Sequence, residues 1–479
     1  MKKFLKYFII VLLSLIGLFC VGLLYLFFVP GSSLFGIKYV RCSGEVKSEA
    51  YEQADVVGKV IVTNRGYDVK IVEGTGTTIS VVAYPKTFGY AFAKNSQFAI
   101  DTVLDPSGNL NITATEPHGV TFSNNSYIEI RLPKSYEKEL VLKNTSAETT
   151  INCATPTIKN LYYQTESGNL TIENANLQGS LTLKLNKATF NIDENVTTQD
   201  SNVYLELTTG KFKAPNNPFN QVTVEKNTRG VVTLKECNLF TEKVETAGGQ
   251  VNIDNVSYVD IASSDTNVNL KTVNGGTIIL NKSGSINIET LSGNINILTV
   301  SGSIKIQNAN AEAELNSTSG NIVVKNATKA ILATSSNGNI TVEFSEIADS
   351  YTLNNSNRKA TIKSHNGAIL VKGAENINAE IDASGNGSIS VVMKNVYGEN
   401  IINGNNGSVN VNIERTASYL LKTESVSGNV SVNLAQLAVN GYTAKELTTT
   451  EVNPPVNAAN SLHVKTTGGS LKVTDTLVG

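Results

Sequence analysis

A short glycine-led repeat constrains the fold of this chain more than any other feature. Residues 275–306 read GGTIILNKSGSINIETLSGNINILTVSGSIKI, and in this stretch a glycine is followed one residue later by an apolar–polar–apolar triplet. Alternation with a period of two places both apolar residues on one face of a strand, and glycine permits the turn before it, with a positive φ where needed. The unit therefore predicts a turn that leads into a short, half-buried strand.

The spacing of the glycines predicts how these strands are arranged. Gly284, Gly293 and Gly302 are nine residues apart, the steps to Gly320 and Gly338 are eighteen residues, and later steps are near twenty. Eighteen residues hold two units, so one coil has two strands and two corners. Repeats of about 20 residues, built from short strands without helices, indicate stacked β-coils. We therefore predict an all-β fold, a single-stranded parallel β-solenoid or β-helix with coils of about 18–21 residues.

The solenoid prediction assigns roles to inward-facing and turn residues. Parallel strands stack about 4.8 Å apart, so equivalent inward residues form continuous apolar columns. Turn asparagines are expected to be scaffold, in left-handed backbone positions and stacked amide ladders. A β-sandwich of hairpins is the structural alternative, but it favours irregular loops and aromatic-rich strands. The predicted inward pairs are Ile295/Ile297, Ile304/Ile306, Ile322/Val324 and Ile340/Val342, and the turn asparagines are Asn321, Asn337, Asn339, Asn366, Asn386, Asn406 and Asn429.

The N-terminus carries one uninterrupted uncharged stretch, Tyr7–Val29, directly after three lysines. About 20 apolar residues cross a 30 Å hydrocarbon core as a helix, and preceding lysines favour an N-terminus on the inside. We predict a retained single-pass anchor in the cell membrane, with the bulk of the chain extracellular. The alternative is a cleaved signal peptide with Gly31 and Ser33 near the cut, although cleavable apolar regions usually span about 7–15 residues. Cys20 follows Phe19 rather than a small residue, which argues against lipidation.

Composition and regularity divide the chain into four predicted parts. These are a cytoplasmic tail and anchor at 1–30, an irregular linker at 31–55, an N-terminal capping part of the solenoid at 56–150, and a repetitive solenoid at 151–479 with loops near 211–220 and 448–460. Aromatic residues in Tyr84–Asn95 are expected to plug the end of the core, since a repeat array needs an atypical terminal unit. The final unit at Ser461–Val473 is expected to lack a cap, and an uncapped strand edge favours end-to-end or edge self-association.

The composition indicates no catalytic, cofactor or metal chemistry. Net charge is −2 and charged residues make up 17% of the chain, so no bulk electrostatic attraction to nucleic acid is expected. No C-x-x-C pair occurs and the histidines are far apart, so metal-ligand spacing is absent. An odd number of widely spaced exported cysteines indicates buried thiols, with one disulfide as the alternative. The histidines are His118, His365 and His463, and the cysteines are Cys42, Cys153 and Cys237.

The chain resembles the bacterial putative-adhesin families of exported β-solenoids, DUF4097 and DUF2807, described as adhesin-like or head GIN domains. The matching residues are Val60–Asn64 with Asp68–Val72, Ile128–Pro133 followed by Leu140–Asn144, and the Ser-Gly-Asn-apolar-x-apolar repeats. The match covers roughly 55–479 and departs at Ala147, which replaces a turn glycine. The resemblance implies an anchored surface or envelope protein, and it carries over no site residue.

Three functions are weighed against these features. The first is a non-enzymatic membrane-anchored envelope protein, with adhesin-like binding of a surface protein or glycan, or scaffolding, through regular solenoid faces. The second is a polysaccharide-active β-helix enzyme, which needs convergent carboxylates; the candidates Asp254, Asp260 and Asp265 are separated by Asn, Ser and Val. The third is an accessory of an envelope-stress signalling system, although Gly17 and Gly22 lack the spacing of closely packed helix pairs. We favour the first and predict no catalytic, cofactor or metal residues.

Overall fold

Strand formation follows the period-two alternation along most of the chain. The computed structural model describes residues 2–47, 50–92, 98–115, 119–124, 126–214, 219, 221–241, 248–280, 282–345, 359–414, 418–434, 442–443, 446–452 and 460–475. It divides into two compact units, Met1–Asn220 and Gln221–Gly479.

The described residues of the first unit form one helix and eighteen strands. These are α1 (Lys2–Phe28), β1 (Ser33–Leu34), β2 (Ile37–Ser43), β3 (Val46–Lys47), β4 (Tyr51–Glu52), β5 (Val60–Asn64), β6 (Asp68–Glu73), β7 (Thr78–Tyr84), β8 (Lys86–Phe92), β9 (Ala99–Leu104), β10 (Leu110–Thr115), β11 (Gly119–Asn124), β12 (Tyr127–Leu132), β13 (Glu137–Asn144), β14 (Thr149–Thr165), β15 (Leu170–Leu185), β16 (Thr189–Ile192), β17 (Thr197–Leu207) and β18 (Lys211–Ala214).

Parallel coils make up most of this unit. The C-terminal halves of the long strands β14 and β15 form one parallel sheet with β13 and β17. Their N-terminal halves form a second parallel sheet with β16 and β18. The first coil, β5 and β6, lies between two later coils, because β5 pairs with both β10 and β13 while β6 pairs with both β12 and β14. Antiparallel β9 and β7 cover the outer side of β10 and β12. These strands, and not the aromatics of Tyr84–Asn95, cap the array.

A separate antiparallel sheet, the helix-side sheet, forms from β1, β2, β8 and β11 in that order. The predicted irregular linker is therefore wrong for the residues of β1 and β2. The predicted core plug is wrong as well, because Phe88 and Phe92 lie on β8 with 40% and 55% of their surface exposed. Both errors have one cause: β2 and β8 are distant in sequence and lack the glycine repeat, so no period marks their pairing.

The regular elements that the structure describes in the second unit are strands. They are β19 (Gln221–Asn227), β20 (Val231–Thr241), β21 (Gly248–Ser263), β22 (Asp265–Val273), β23 (Gly276–Leu280), β24 (Ile286–Leu291), β25 (Ile295–Thr299), β26 (Ile304–Ala309), β27 (Ala313–Ser317), β28 (Ile322–Ala327), β29 (Ile331–Ser335), β30 (Ile340–Phe344), β31 (Lys359–Ser364), β32 (Ile369–Ala374), β33 (Asn378–Ala383), β34 (Ile389–Met393), β35 (Glu399–Gly404), β36 (Val409–Ile413), β37 (Tyr419–Ser425), β38 (Val430–Asn433), β39 (Tyr442–Thr443), β40 (Glu446–Val452), β41 (Ser461–Thr466) and β42 (Leu471–Asp475).

Each coil of this unit contributes one strand to each of two parallel sheets, which confirms the solenoid prediction. From β22 to β34, every strand pairs with the second strand after it, so β22 to β36 with even numbers form one sheet and β23 to β35 with odd numbers form the other. The inward residues form buried columns such as Ile304, Ile322 and Ile340, each fully buried. Ile295 and Ile297 belong to the other sheet, where they pair with Ala313 and Leu315.

The structure shows two reasons for the repeating glycine at the corners, of which the sequence predicts only the first, a positive φ. Gly276 and Gly284 do have a positive φ, of 140° and 129°. From Gly302 onwards the reason changes, because a Cβ on Gly320 or Gly338 would clash with the carbonyl oxygen of the corner glycine one coil before it. Glycine is therefore required by close stacking of the corners rather than by handedness.

Turn asparagines form the predicted stacked amides. Asn366 Nδ2 donates to Asn337 Oδ1 at 3.0 Å, and Asn406 Nδ2 donates to Asn386 Oδ1 at 3.2 Å. The left-handed backbone positions that were predicted together with these ladders are wrong for the turn asparagines named above: among described non-glycine residues, positive φ occurs at Phe35, Asn326 and Asn376.

The last coil does not form the free edge that the sequence predicts. Strands β41 and β42 are inserted between the coil of β35 and β36 and the coil of β37 and β38, with parallel pairing on both sides. Antiparallel β40 and β39 then cover β37 and β38. The loops predicted near 211–220 and 448–460 differ in part, because Lys211–Ala214 and the residues up to Val452 are strands. The rest of the first prediction, residues 215–218 and 220, and residues 453–459 of the second lie outside the described part.

Candidate functional site

An open groove of about 550 Å³ lies on the outward face of the sheet formed by β21, β22, β24 and β26 in the second unit. We call its polar lining the amide face. In these strands inward residues are buried and the residues between them project outward, so two rows of side chains run across the strands. The first row is Asn252, Asn269, Asn287 and Lys305, and the second row is Asp254, Lys271, Glu289 and Gln307.

The first row is a hydrogen-bonded amide ladder. Asn269 Nδ2 donates to Asn252 Oδ1 at 2.9 Å, and Asn287 Nδ2 donates to Asn269 Oδ1 at 3.0 Å. Gln250 Nε2 also donates to Asn252 Oδ1, at 2.9 Å. Each amide has two N–H donors and two acceptor lone pairs, so the ladder uses part of this capacity and fixes the rotamers. The remaining groups are held in place at the strand spacing of about 4.8 Å, ready for a ligand.

The second row alternates in charge. Asp254, Lys271 and Glu289 follow Ile253, Leu270 and Ile288, which pair in register across adjacent strands. Among the described residues, these three charged side chains form no ion pair, and each is exposed. The groove thus offers a carboxylate, an ammonium and a second carboxylate on successive strands. Such a surface suits a ligand with many hydroxyl groups, because a hydroxyl both donates and accepts.

The structure does not bring the three candidate catalytic carboxylates together. Asp254 lies on the amide face, whereas Asp260 pairs with Thr277 on the strands of the other sheet. Asp265 lies at a corner, where its Oδ1 accepts hydrogen bonds from the Ser283 N–H at 3.1 Å and the Ser283 hydroxyl at 2.6 Å. Asp265 is therefore a corner acceptor, and no shared substrate position lies between the three.

The cysteines and histidines do not cluster with other ligand residues in the part of the chain that the structure describes. No group of three His, Cys, Asp or Glu side chains there is placed to hold a metal ion. Cys42 and Cys153 are free thiols, and burial raises the pKa of Cys153 to about 12. The Cys237 side chain and His118 lie outside the described residues. His365 Nδ1 lies 2.9 Å from the Ser384 hydroxyl.

His463 is less isolated in the structure than in the sequence. Its Nε2 atom lies 3.3 Å from Glu424 Oε1, and Lys465 Nζ lies 3.6 Å from Glu424 Oε2. The hydrogen bond from Lys422, together with the nearby charges of His463 and Lys465, lowers the pKa of Glu424. This group is a half-buried charge cluster on neighbouring strands. A carboxylate neutralised by cations across strands is typical of strand pairing rather than of catalysis.

The amide face was not predicted from the sequence, although the sequence contains a signal for it. Asn252, Asn269 and Asn287 are seventeen and eighteen residues apart, which is one coil, and each lies between two apolar strand residues. The turn asparagines also recur about once per coil. The spacing alone therefore does not distinguish outward asparagines on strands from asparagines at corners.

A profile of the Toastrack DUF4097 family matches residues 57–343, which is more than half of the chain and includes the whole amide face. The chain belongs to this family. The Toastrack match confirms the resemblance that the repeats indicate. No curated protein matches the chain. Among solved structures, a "putative cell adhesion protein" from Clostridium sporogenes aligns at 10% identity over 91% of this chain and 100% of its own, with a TM-score of 0.14.

Proposed function

We propose that this Toastrack protein is a non-enzymatic, membrane-anchored surface protein that binds a glycan on its amide face. The observation that carries the proposal is the ladder of outward amides beside three charged side chains that form no ion pair with any residue the structure describes. Glycans present hydroxyl groups at short, regular intervals, and a row of fixed amides 4.8 Å apart matches that chemistry without much loss of side-chain entropy.

Anchoring is supported by the contacts of α1. Residues Phe4–Phe28 are long and apolar enough to cross a membrane, a property that a signal sequence shares. Several contacts join the end of this helix to the exported chain: the Tyr90 hydroxyl donates to the Leu23 carbonyl at 2.8 Å, and the Phe27 and Tyr39 rings are 5.0 Å apart. Leu26 is almost fully buried. Cleavage after the helix would remove all of these partners, so the contacts favour a retained anchor.

Binding is favoured over catalysis by the groove itself. A glycosidase needs two carboxyl groups on either side of one bond, with one of them kept protonated. On the amide face both carboxylates are exposed, and Lys271 lies on the strand between Asp254 and Glu289. No buried carboxyl lines the described groove, so a general acid is not provided. The arrangement instead provides donors and acceptors over several strands.

Glycan-array binding by the full chain in lipid nanodiscs tests this proposal. The double variant Asn269→Ala/Asn287→Ala removes two amides, and at about 0.5–1.5 kcal/mol for each hydrogen bond the dissociation constant should rise by about 5–150-fold. Asn296→Ala is the matched control, because Asn296 is an exposed asparagine of the same coils on the other sheet. Equal binding by both variants, or no glycan bound by the unaltered chain, would contradict the proposal.

A further inference from the structure

The helix-side sheet carries an apolar surface that is partly exposed among the described residues. Ile37 pairs with Phe92, Tyr39 with Tyr90, and Tyr90 with Val120, and directly paired residues project from the same face of a sheet. Helix α1 covers part of this face, at Tyr39 and Tyr90. Beside the helix remains an open groove of about 520 Å³, lined by Phe19, Leu23, Ile37, Phe92 and Val120 among others. Phe92 and Val120 are 55% and 65% exposed.

The hairpin between β1 and β2 adds Phe35, a further exposed aromatic residue, to this surface. Phe35 has 93% of its surface exposed and a φ of 52°, followed by Gly36 with a φ of 76°. Two successive positive φ values are typical of a tight hairpin turn that normally holds Asn, Asp or Gly. A bulky aromatic residue is unfavourable there, both in its backbone and in water. Next to it Leu34 contacts the helix, since a Cβ on Gly22 would lie 2.9 Å from Leu34 Cδ2.

The length of the free helix indicates what covers this surface. The last lysine before the apolar stretch is Lys6, and the sheet flanks the helix from Phe19 onwards. Between them lie residues 7–18, which at 1.5 Å per residue span about 18 Å. A bilayer hydrocarbon core is about 30 Å thick. A helix that crosses from Lys6 therefore still lies in the outer leaflet where it meets the sheet.

We propose that the apolar end of the helix-side sheet enters the outer leaflet and that phospholipid acyl chains occupy its groove. Phe35, Phe92 and Val120 then contact lipid rather than water. The other end of the same face carries exposed Arg41 and Lys86, which suit phosphate headgroups. Hydrocarbon cannot satisfy the open backbone groups of the edge strands β1 and β11, so the apolar side chains of this end enter while the strand edges stay at the headgroup level. The inference rests on the proposed anchor and gives it a second, sheet-based contact.

The chain has no tryptophan, so single introduced tryptophans report depth without background. Phe92→Trp and Val120→Trp test the groove, and Val57→Trp, at a residue 73% exposed in the first unit, is the control. Each full-length variant is reconstituted into liposomes with bromine on the acyl chains, and emission is excited selectively at the indole. Melting temperatures equal to that of the unaltered chain show that each variant folds.

Tryptophan at 92 and 120 should lose most of its emission to the brominated chains, while tryptophan at 57 keeps it. If the chain floats with liposomes after an alkaline wash but all three tryptophans emit alike, the sheet stays in water and this inference is wrong, while the anchor stands. If the chain does not float, both the anchor and this inference fail. Phe35→Asn, which relieves the turn, should keep the melting temperature and weaken quenching at 120; unchanged quenching would exclude Phe35 from the contact.

Discussion

At the scale of single residues, the corners of the coils are stabilised by two features: glycine has no side chain that would separate stacked corners, and its N–H forms a hydrogen bond with a nearby hydroxyl. The Gly338 N–H donates to the buried Ser335 hydroxyl at 2.9 Å, and the same bond joins Gly320 to Ser317. This hydroxyl three residues before the glycine satisfies a backbone donor that the stacked corner hides from water. A Ser/Thr-x-x-Gly pattern is thus a better description of the corner than glycine alone.

Gly338→Ala should destabilise the chain because its Cβ would clash with the Gly320 carbonyl oxygen. Overpacking of this kind costs about 1–3 kcal/mol, and main-chain atoms have little freedom to move away. Thermal unfolding followed by circular dichroism measures the change. Gly76→Ala is the control, since the nearest atom to its Cβ is 3.9 Å away. Equal melting temperatures for the two variants would show that corner stacking does not require glycine.

At the scale of elements, the sequence predicts what a coil is but not which coil is its neighbour. The inward pairs and the turn ladders follow directly from the period of the repeat. The insertion of β41 and β42 does not, because each coil presents the same parallel backbone ladder and the same apolar column to any other coil. The helix-side sheet was missed for the related reason that antiparallel pairing between distant strands leaves no periodic mark.

The inserted coil predicts a specific cross-link. Asn410 and Lys472 are exposed and directly paired, and Lys472 pairs in turn with Ser431. In a background without the native cysteines, Asn410→Cys/Lys472→Cys should oxidise to an intrachain disulfide, since strands about 4.8 Å apart suit its geometry. Asn410→Cys/Ser431→Cys should not, because a strand separates the two residues. A disulfide in the second variant instead of the first would show that the coils stack in sequence order.

The amide face also belongs to this scale, and it could be predicted only in part. The coil spacing places Asn252, Asn269 and Asn287 in one row. Their outward direction, and the charged row beside them, depend on where each strand begins relative to its corner, which the repeat fixes only within one or two residues.

At the scale of the whole molecule, half-buried carboxylates beside cations make stability depend on pH. Hydrogen bonding to Lys363 lowers the pKa of Glu380, and hydrogen bonding to Lys422 lowers that of Glu424. A folded pKa below the unfolded value, about 4.3 for Glu, means that the unfolded chain binds more protons in acid. The stabilisation is therefore complete above this value and is lost as pH falls through the lower folded pKa.

The melting temperature should accordingly fall between about pH 6 and pH 3. Glu380→Gln/Glu424→Gln should start lower at pH 6 and lose less on acidification. Glu289→Gln serves as the control, because the Glu289 carboxylate forms no ion pair among the described residues, and it should show the full fall. A double variant that falls as steeply as the unaltered chain would show that these ion pairs do not contribute.

Anchored display on the cell surface is the central claim at this scale, since the amide face can bind an external glycan only from that side. The most direct measurement is protease treatment of intact cells that express the full chain, followed by fractionation. We predict that the full-length chain remains in the membrane fraction after an alkaline wash and that external protease removes the solenoid from intact cells. A chain that is shortened at its N-terminus and released into the medium would contradict the account.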